Sequence, residues 1–130
     1  FTTLFKKGKA HLELDNPKSP FEDGLSIKVK IAGNRFMDLK SLSGGEKTLT
    51  ALSFIFAIQE YQPASFYVLD EIDAALDKHN AEKLAKLIRQ YSDRAQYVVI
   101  SHNDSLISEA DTLFGVSMTH GISKVTSLKI

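Results

Sequence analysis

Residues 66–77 read FYVLDEIDAALD, and this stretch decides the fold of the 130-residue chain. It opens with an unbroken apolar run, Phe66–Leu69, which predicts a central strand buried on both faces, and the run ends in two carboxylates. Lys78–Tyr91 then carries apolar residues at helical spacing, and Tyr97–Ile100 is a second apolar run that ends in polar residues. A strand, a helix and a strand in this order predict a right-handed crossover between parallel strands.

The residues before this unit predict a small antiparallel sheet. Apolar and polar residues alternate over Ala10–Leu14 and again over Ile27–Ile31, which is typical of strands with one buried face. Turn-forming residues at Gly33-Asn34 close the second strand, and Phe36–Leu39 is a candidate for a third.

Helices and a hairpin complete the predicted fold. Gly45–Gln59 favours a helix that packs on several sides, and Asp104–Ala110 favours a short one. Thr112–Met118 and Ile122–Ile130 predict a hairpin that turns at His120-Gly121. We therefore expect one α/β domain over residues 1–130, with parallel central strands, flanking helices and a small antiparallel part.

The composition argues against several classes of protein. Sixteen basic and 16 acidic residues give no net charge, so any nucleic-acid contact must be a local patch or belong to a partner. The lack of cysteine excludes disulfides and thiolate metal sites and favours an intracellular protein. The longest apolar stretch, Leu49–Ile58, is too short to cross a bilayer. Because the chain begins at Phe1 and ends within a predicted strand, we expect it to be part of a longer protein.

Ser43-Gly44-Gly45-Glu46 stands at the start of the first long helix. Ser followed three residues later by Glu is a capping box, which is a purely local stabilising motif. The same residues suit an anion, because two glycines let a ligand approach the backbone and the helix start offers free N–H groups. The two interpretations are compatible, since a capped helix N-terminus is also an anion site.

A phosphate-binding P-loop is absent from these 130 residues. The P-loop has Gly directly before its Lys and another Gly five positions earlier. Around Lys47 those positions hold Glu46 and Ser41, and no other Lys has the required spacing.

The two carboxylates after the first central strand, Asp70 and Glu71, resemble a Walker B motif. In such a motif one carboxylate binds Mg²⁺ and the next orients and deprotonates an attacking water. The alternative is that Asp70 caps the following turn and Glu71 is only solvated. Ligands bind beyond the carboxyl ends of parallel strands, and His102 follows the second central strand. We therefore expect His102 beside the acidic pair, although a lone His after a strand is more often an ordinary surface or core residue.

The stretches Leu42–Leu52, LSGGEKTLTAL, and Asp70–Asp77, DEIDAALD, closely resemble the SMC (structural maintenance of chromosomes) family. The likeness covers essentially the whole chain. Membrane-transporter ATPases usually have Gln in place of Glu46 and Pro in place of Ile72. The resemblance implies the C-terminal lobe of an ABC-type ATPase head, the part that follows a long coiled coil.

The resemblance also implies a role for each motif residue. Asp70 would bind Mg²⁺ directly or through water, Glu71 would act on the hydrolytic water, and His102 would be the switch residue near the γ-phosphate. Asp77 would lie in the D-loop, which communicates across the interface between two heads. The signature loop (Leu42–Lys47) would close over ATP held by a second head through Ser43, Gly44, Gly45, Glu46 and Lys47.

Partners, cofactors and location follow from the same resemblance. An N-terminal head lobe would supply the P-loop, and the ATPase, using ATP and Mg²⁺, would be inactive without it. A second SMC head, identical or different, would share two sandwiched ATP molecules. A kleisin subunit would bind the heads, and DNA would contact the full complex during chromosome condensation, cohesion or segregation. The expected location is the cytoplasm at the chromosome or nucleoid, or the nucleus in a eukaryote, without membrane contact.

Two alternatives stay open at this point. One is the head lobe of a DNA double-strand-break repair ATPase with a coiled coil, although those proteins tend to carry Pro after the acidic pair. The other is a non-catalytic interaction module, in which the capping box and the acidic pair are purely structural.

Overall fold

The computed structural model describes residues 1–31, 33 and 35–128. The elements in chain order are β1 (Lys9–Leu14), β2 (Leu25–Lys30), β3 (Met37–Asp38), a 3₁₀ turn (Leu39–Ser41), α1 (Gly44–Tyr61), β4 (Phe66–Asp70), α2 (Lys78–Tyr91), β5 (Gln96–Ile100), α3 (Asp104–Ile107), β6 (Leu113–Thr119) and β7 (Ile122–Leu128). The predicted mixed α/β fold class is confirmed. Asn34 of the predicted turn and residues 129–130 of the last predicted strand lie outside the described residues.

The antiparallel sheet has the strand order β1-β2-β3. Its register runs from Lys9 opposite Lys30 to Leu14 opposite Leu25, so the alternating apolar residues of both strands share one face. Val29, in the middle strand, is fully buried on that face. The predicted antiparallel sheet is confirmed, but the predicted buried face is not found in β1, where Leu12 and Leu14 are 52% and 40% exposed. Alternation shows that a face is suited to burial and not that the same 130 residues cover it.

The core forms around α1, α2 and one face of a two-stranded parallel sheet. β4 pairs with β5 from Phe66 opposite Gln96 to Asp70 opposite Ile100, and α2 makes the connection between them. The predicted parallel unit is thus confirmed, and the bounds of α2 are those expected from the sequence. The buried apolar cluster draws on α1, β4, α2 and α3 and consists of Leu4, Leu49, Leu52, Phe56, Leu69, Leu84, Ala85, Leu87, Ile88 and Leu106.

The prediction that β4 is buried on both faces is wrong. Leu69 is only 9% exposed and joins the core, but Phe66 and Val68 on the opposite face are 61% and 58% exposed. In β5, Val98 and Ile100 are exposed in the same way. These four residues form the open sheet face, which no element among the described residues covers. An apolar run predicts a partner for each face of a strand but does not say that the partner belongs to the same 130 residues.

Helix α1 packs one side into the core and leaves Ile55 and Ile58 exposed on another. The prediction that this helix packs on several sides is therefore wrong for the described residues, because apolar residues around a helix do not show that the covering segment belongs to the same 130 residues. Within the described part of the chain, no helix combines the length and the apolar composition needed to cross a membrane.

The C-terminal hairpin pairs β6 with β7 from Leu113 opposite Leu128 to Thr119 opposite Ile122. Its turn is at His120-Gly121, as predicted, with φ angles of 52° and 78°. Two positive φ angles are typical of a type I′ turn, whose twist matches that of the flanking strands.

Candidate functional site

The start of α1 forms the predicted capping box. The Ser43 hydroxyl accepts a hydrogen bond from the Glu46 N–H at 3.4 Å, and the Glu46 carboxylate accepts one from the Ser43 N–H at 3.0 Å. In the described part of the chain, the N–H groups of Gly44 and Gly45 donate to no acceptor. The helix start is therefore capped and still presents two free donors, as an anion site requires.

The two glycines of the signature loop have different surroundings. A Cβ atom at Gly44 would meet no atom within 4 Å, so a ligand can approach the backbone there. A Cβ atom at Gly45 would lie 3.3 Å from the carbonyl oxygen of Ala75, in the loop that follows β4. The signature loop therefore packs directly against the segment that leads to Asp77.

Asp70 is the last residue of β4, and its side chain is exposed at the edge of the sheet. Its carboxylate makes no ion pair with any described residue. No group of three or more His, Asp or Glu side chains among the described residues could hold a metal ion. Asp70 therefore fits Mg²⁺ as a single oxygen ligand, with the remaining ligands drawn from phosphate, water or another segment.

Glu71 has a strained backbone in a defined position. Its φ angle is 46°, a left-handed conformation that costs about 1–3 kcal/mol for such a residue. Its N–H donates to the Ile100 carbonyl at 2.9 Å, and its carbonyl accepts from the Ala74 N–H at 3.1 Å. These two bonds fix Glu71 between the ends of β4 and β5.

His102 lies beside Glu71, as the rule for parallel strands predicts. Its Nε2 is 3.4 Å from the Glu71 Oε1, and the two side chains are 90% and 57% exposed. Solvent screens an exposed contact of this kind, so it adds little stability, but it leaves both groups accessible to a substrate. Among the described residues, no ion pair joins this pair to the side chains of the signature loop. The structure thus brings Asp70, Glu71 and His102 to one edge of the sheet.

Asp77 caps the N-terminus of α2. Its carboxylate accepts from the Asn80 N–H at 2.8 Å and from the Asn80 Nδ2 at 3.1 Å. This local function accounts for its position at the end of the loop after β4. The role in communication between heads stays a prediction.

Sequence reasoning gave no role to a hydrogen-bonded pair, Asp73 and Ser101, beside the acidic edge, which consists of Asp70, Glu71 and His102. Asp73 is 6% exposed, and its Oδ2 accepts a hydrogen bond of 2.8 Å from the Ser101 hydroxyl. Both residues follow the ends of paired parallel strands, which is the only signal in the sequence that places them together. The burial of Asp73 and its bond to Ser101 depend on how the two loops fold and could not be predicted from residue type.

Comparison with known proteins agrees with this fold. The family model for the RecF/RecN/SMC N terminal domain matches residues 2–124. The chromosome partition protein Smc of Pyrococcus furiosus is 48% identical over 130 residues, which are 100% of this chain and 11% of that protein. The chain therefore spans about a tenth of the length of the curated relatives it matches.

Solved structures resemble the chain over almost its full length. A chain from a study of ATP-driven dimerization and DNA stimulated activation of SMC ATPases has 46% identity and a TM-score of 0.89, covering 99% of this chain and 78% of that one. A Smc head domain from Pyrococcus furiosus, bound to the C-terminal domain of ScpA, has 48% identity and a TM-score of 0.88, covering 98% and 32%. By the family model, the close relative and these structures, the chain belongs to the SMC (structural maintenance of chromosomes) family and has the fold of part of an SMC head domain.

Proposed function

We propose that residues 1–130 form the C-terminal lobe of an SMC head and that, combined with an N-terminal lobe carrying the P-loop, this lobe binds and hydrolyses ATP. The observation that carries the proposal is the meeting of Asp70, Glu71 and His102 at the carboxyl edge of β4 and β5. In open α/β sheets this edge is where ligands bind. The 130 residues have no P-loop spacing, so the phosphates of the same head need another segment to hold them.

Each residue of the acidic edge has a separate task in the proposed reaction. The Asp70 carboxylate helps to hold Mg²⁺, which supplies positive charge against the developing negative charge on the phosphates. The Glu71 carboxylate orients the hydrolytic water and accepts its proton. The His102 imidazole lies next to that carboxylate and can bond to the γ-phosphate or to the same water.

The signature loop serves a nucleotide on a second head. Gly44 is open to approach, and the free N–H groups of Gly44 and Gly45 face an anion at the helix start. Loss of the γ-phosphate removes the anion that bridges the heads, so hydrolysis releases them. The study of a similar chain describes ATP-driven dimerization of SMC ATPases, which supports this arrangement.

The open sheet face is the proposed contact with the N-terminal lobe. Phe66, Val68, Val98 and Ile100 leave contiguous apolar surface in water on strands that end in the acidic edge. A sheet extended or covered there would bury this surface and bring a P-loop to the same edge.

The remaining partners are proposed from the relatives. The Pyrococcus furiosus head is bound to ScpA, which supports a kleisin as a partner of this head. Chromosome partition proteins are similar over the full chain, which supports a role in chromosome organisation, with DNA contacting the full complex in the cytoplasm or nucleus. The head of a double-strand-break repair ATPase is not favoured, since the relatives at 40–49% identity are chromosome partition proteins.

Glu71→Gln in the head assembled with its P-loop lobe tests the function. Removal of a general base lowers hydrolysis about 10²- to 10⁴-fold, and Gln keeps the size of the side chain, so ATP-dependent head dimers should persist. Hydrolysis and dimer lifetime are measured on the same preparation. Wild-type hydrolysis by the variant would show that Glu71 is not the base, and a non-catalytic module would show no ATP-dependent dimer at all.

A further inference from the structure

One partly buried hydrogen bond joins the two loops that carry Glu71 and His102. Asp73 lies in the loop after β4, and its Oδ2 accepts from the hydroxyl of Ser101, the first residue after β5, at 2.8 Å. The Ser101 Oγ also accepts a hydrogen bond of 2.9 Å from the Asn103 N–H. A single hydroxyl therefore ties the two loops together and fixes the turn beyond the second strand.

The position of this bond lets it set the geometry of the acidic edge. Glu71 comes two residues before Asp73, and His102 directly follows Ser101. On the strand side of the pair, the Glu71 N–H donates to the Ile100 carbonyl at 2.9 Å. Glu71 thus makes one of the two bonds that join the loops, and His102 directly follows the residue that makes the other; their side chains are 3.4 Å apart.

Asp73 is suited to hold the two loops together and not to take part in the reaction itself. It is 6% exposed, so little of its surface is open to a substrate. A buried carboxylate is unfavourable unless it is hydrogen-bonded, and a charged acceptor strengthens the bond that it makes. The neighbouring backbone needs support, because Glu71 holds a φ angle of 46° that residues other than glycine rarely adopt.

We propose that Asp73 and Ser101 are positioning residues, whose hydrogen bond holds Glu71 and His102 in their mutual geometry for ATP hydrolysis. This inference rests on the proposed function. Without the bond the two loops can separate, and a displacement of about 1 Å at a reacting group can lower the rate about 100-fold. The affinity for ATP should change little, because the P-loop lobe holds the phosphates.

The test measures kcat and KM for ATP in the head assembled from this chain and its P-loop lobe. For Ser101→Ala we expect kcat to fall on the order of 10-fold or more while KM stays within about twofold. Ser101→Thr keeps a hydroxyl and should restore most of kcat. Ser53→Ala is the matched control, because the Ser53 hydroxyl also donates a hydrogen bond, to the Leu49 carbonyl at 2.7 Å, but within α1 and away from the two loops. Its kcat should equal that of the wild type.

A double-mutant cycle shows whether the two residues act through one bond. Asp73→Ala combined with Ser101→Ala should lower kcat no further than the worse single variant. Independent effects that multiply, or an equal loss of kcat in Ser53→Ala, would overturn the proposal. If Asp73→Ala does not fold, Asp73→Leu, which has no acceptor oxygen and keeps most of the side-chain volume, takes its place in the cycle.

Glu71→Gln distinguishes a failure of the positioning role from a failure of the proposed function. If Glu71→Gln abolishes hydrolysis and the variants of Ser101 and Asp73 keep the wild-type kcat, the positioning role is wrong and the proposed function stands. If Glu71→Gln hydrolyses ATP at the wild-type rate, the proposed function itself is wrong.

Discussion

Gly45 and Ala75 touch across the junction between the signature loop and the loop after β4. A Cβ atom added at Gly45 would come within 3.3 Å of the Ala75 carbonyl oxygen and within 3.9 Å of a Leu76 methyl group. The distance of 3.3 Å is shorter than an ordinary van der Waals contact. The oxygen belongs to the backbone, so it cannot move aside as the end of a flexible side chain could. A side chain at position 45 must therefore push the segment that leads to Asp77.

Gly45→Ala should destabilise the head relative to Gly44→Ala by about 1 kcal/mol or more, since overpacking usually costs 1–3 kcal/mol. Gly44 is the matched control, because a Cβ atom there meets nothing within 4 Å and Ala favours a helix more than Gly. Thermal unfolding of the assembled head measures both variants. Equal unfolding midpoints would show that the loop after β4 accommodates the added methyl group without a loss of stability.

Ser43→Arg and Ser43→Ala separate the two functions of the signature loop. Both lose the hydroxyl that accepts from the Glu46 N–H, so both should lose about 1 kcal/mol of stability. Only Arg adds bulk and charge where a second head is proposed to dock. We expect Ser43→Arg to abolish ATP-dependent head dimerisation while ATP stays bound to its own head.

Head dimerisation by size-exclusion chromatography and ATP binding by calorimetry measure these two effects for both variants. Loss of ATP binding in Ser43→Arg would contradict the role across the interface. Dimerisation reduced equally in both variants would assign the effect to the lost cap.

Val68→Lys should weaken association with the P-loop lobe at least 10-fold. Val68 is on the open sheet face, and an unpaired ammonium buried at an interface costs several kcal/mol. Phe21→Lys is the control, because Phe21 is fully exposed in the connection between β1 and β2. Co-purification and the dissociation constant of the two lobes are the measurements. Undiminished binding by Val68→Lys would show that the P-loop lobe docks on another surface.

Tyr97 should make stability depend on pH in the alkaline range. Its hydroxyl donates to the Gln59 Oε1 at 2.7 Å, and burial raises the pKa of Tyr97 to about 12. In the unfolded chain the phenol has a pKa of about 10, so between these values only the unfolded chain releases the proton. The contribution of Tyr97 to stability should therefore be constant below about pH 10 and fall as the pH rises toward 12.

Tyr97→Phe removes this alkaline dependence and leaves the Gln59 Oε1 without its donor, which should cost about 1 kcal/mol at neutral pH. Urea unfolding at pH 8 and pH 11 measures both effects. Tyr61→Phe is the control, because Tyr61 is almost fully exposed and should change neither value. An equally steep alkaline loss in Tyr97→Phe would contradict the assignment.

The sequence predicted the elements whose determinants are local. Helix α2 has its expected bounds, because Asp77 provides the cap and apolar residues recur at helical spacing. Glu71 and His102 were expected to meet, because the ends of parallel strands share one edge.

Features that depend on tertiary contacts were not predicted. The bond between Asp73 and Ser101 requires both loops to fold inward, and the contact of Gly45 with Ala75 requires two distant loops to meet. Neither leaves a periodic pattern in the sequence. The uncovered face at Phe66 and Val68 was missed for a different reason, because apolar runs report that a face is buried and not which polypeptide buries it.

The left-handed backbone at Glu71 makes thermal stability and the proposed turnover competing requirements at this position. Glycine accepts a φ angle of 46° without strain, so the residue best suited to this backbone has no carboxylate to offer. A library screened for heat resistance alone would tend to replace Glu71. If Glu71 has the proposed role, the surviving variants would be more stable heads that no longer hydrolyse ATP, and only selection for turnover would keep an acid at this position.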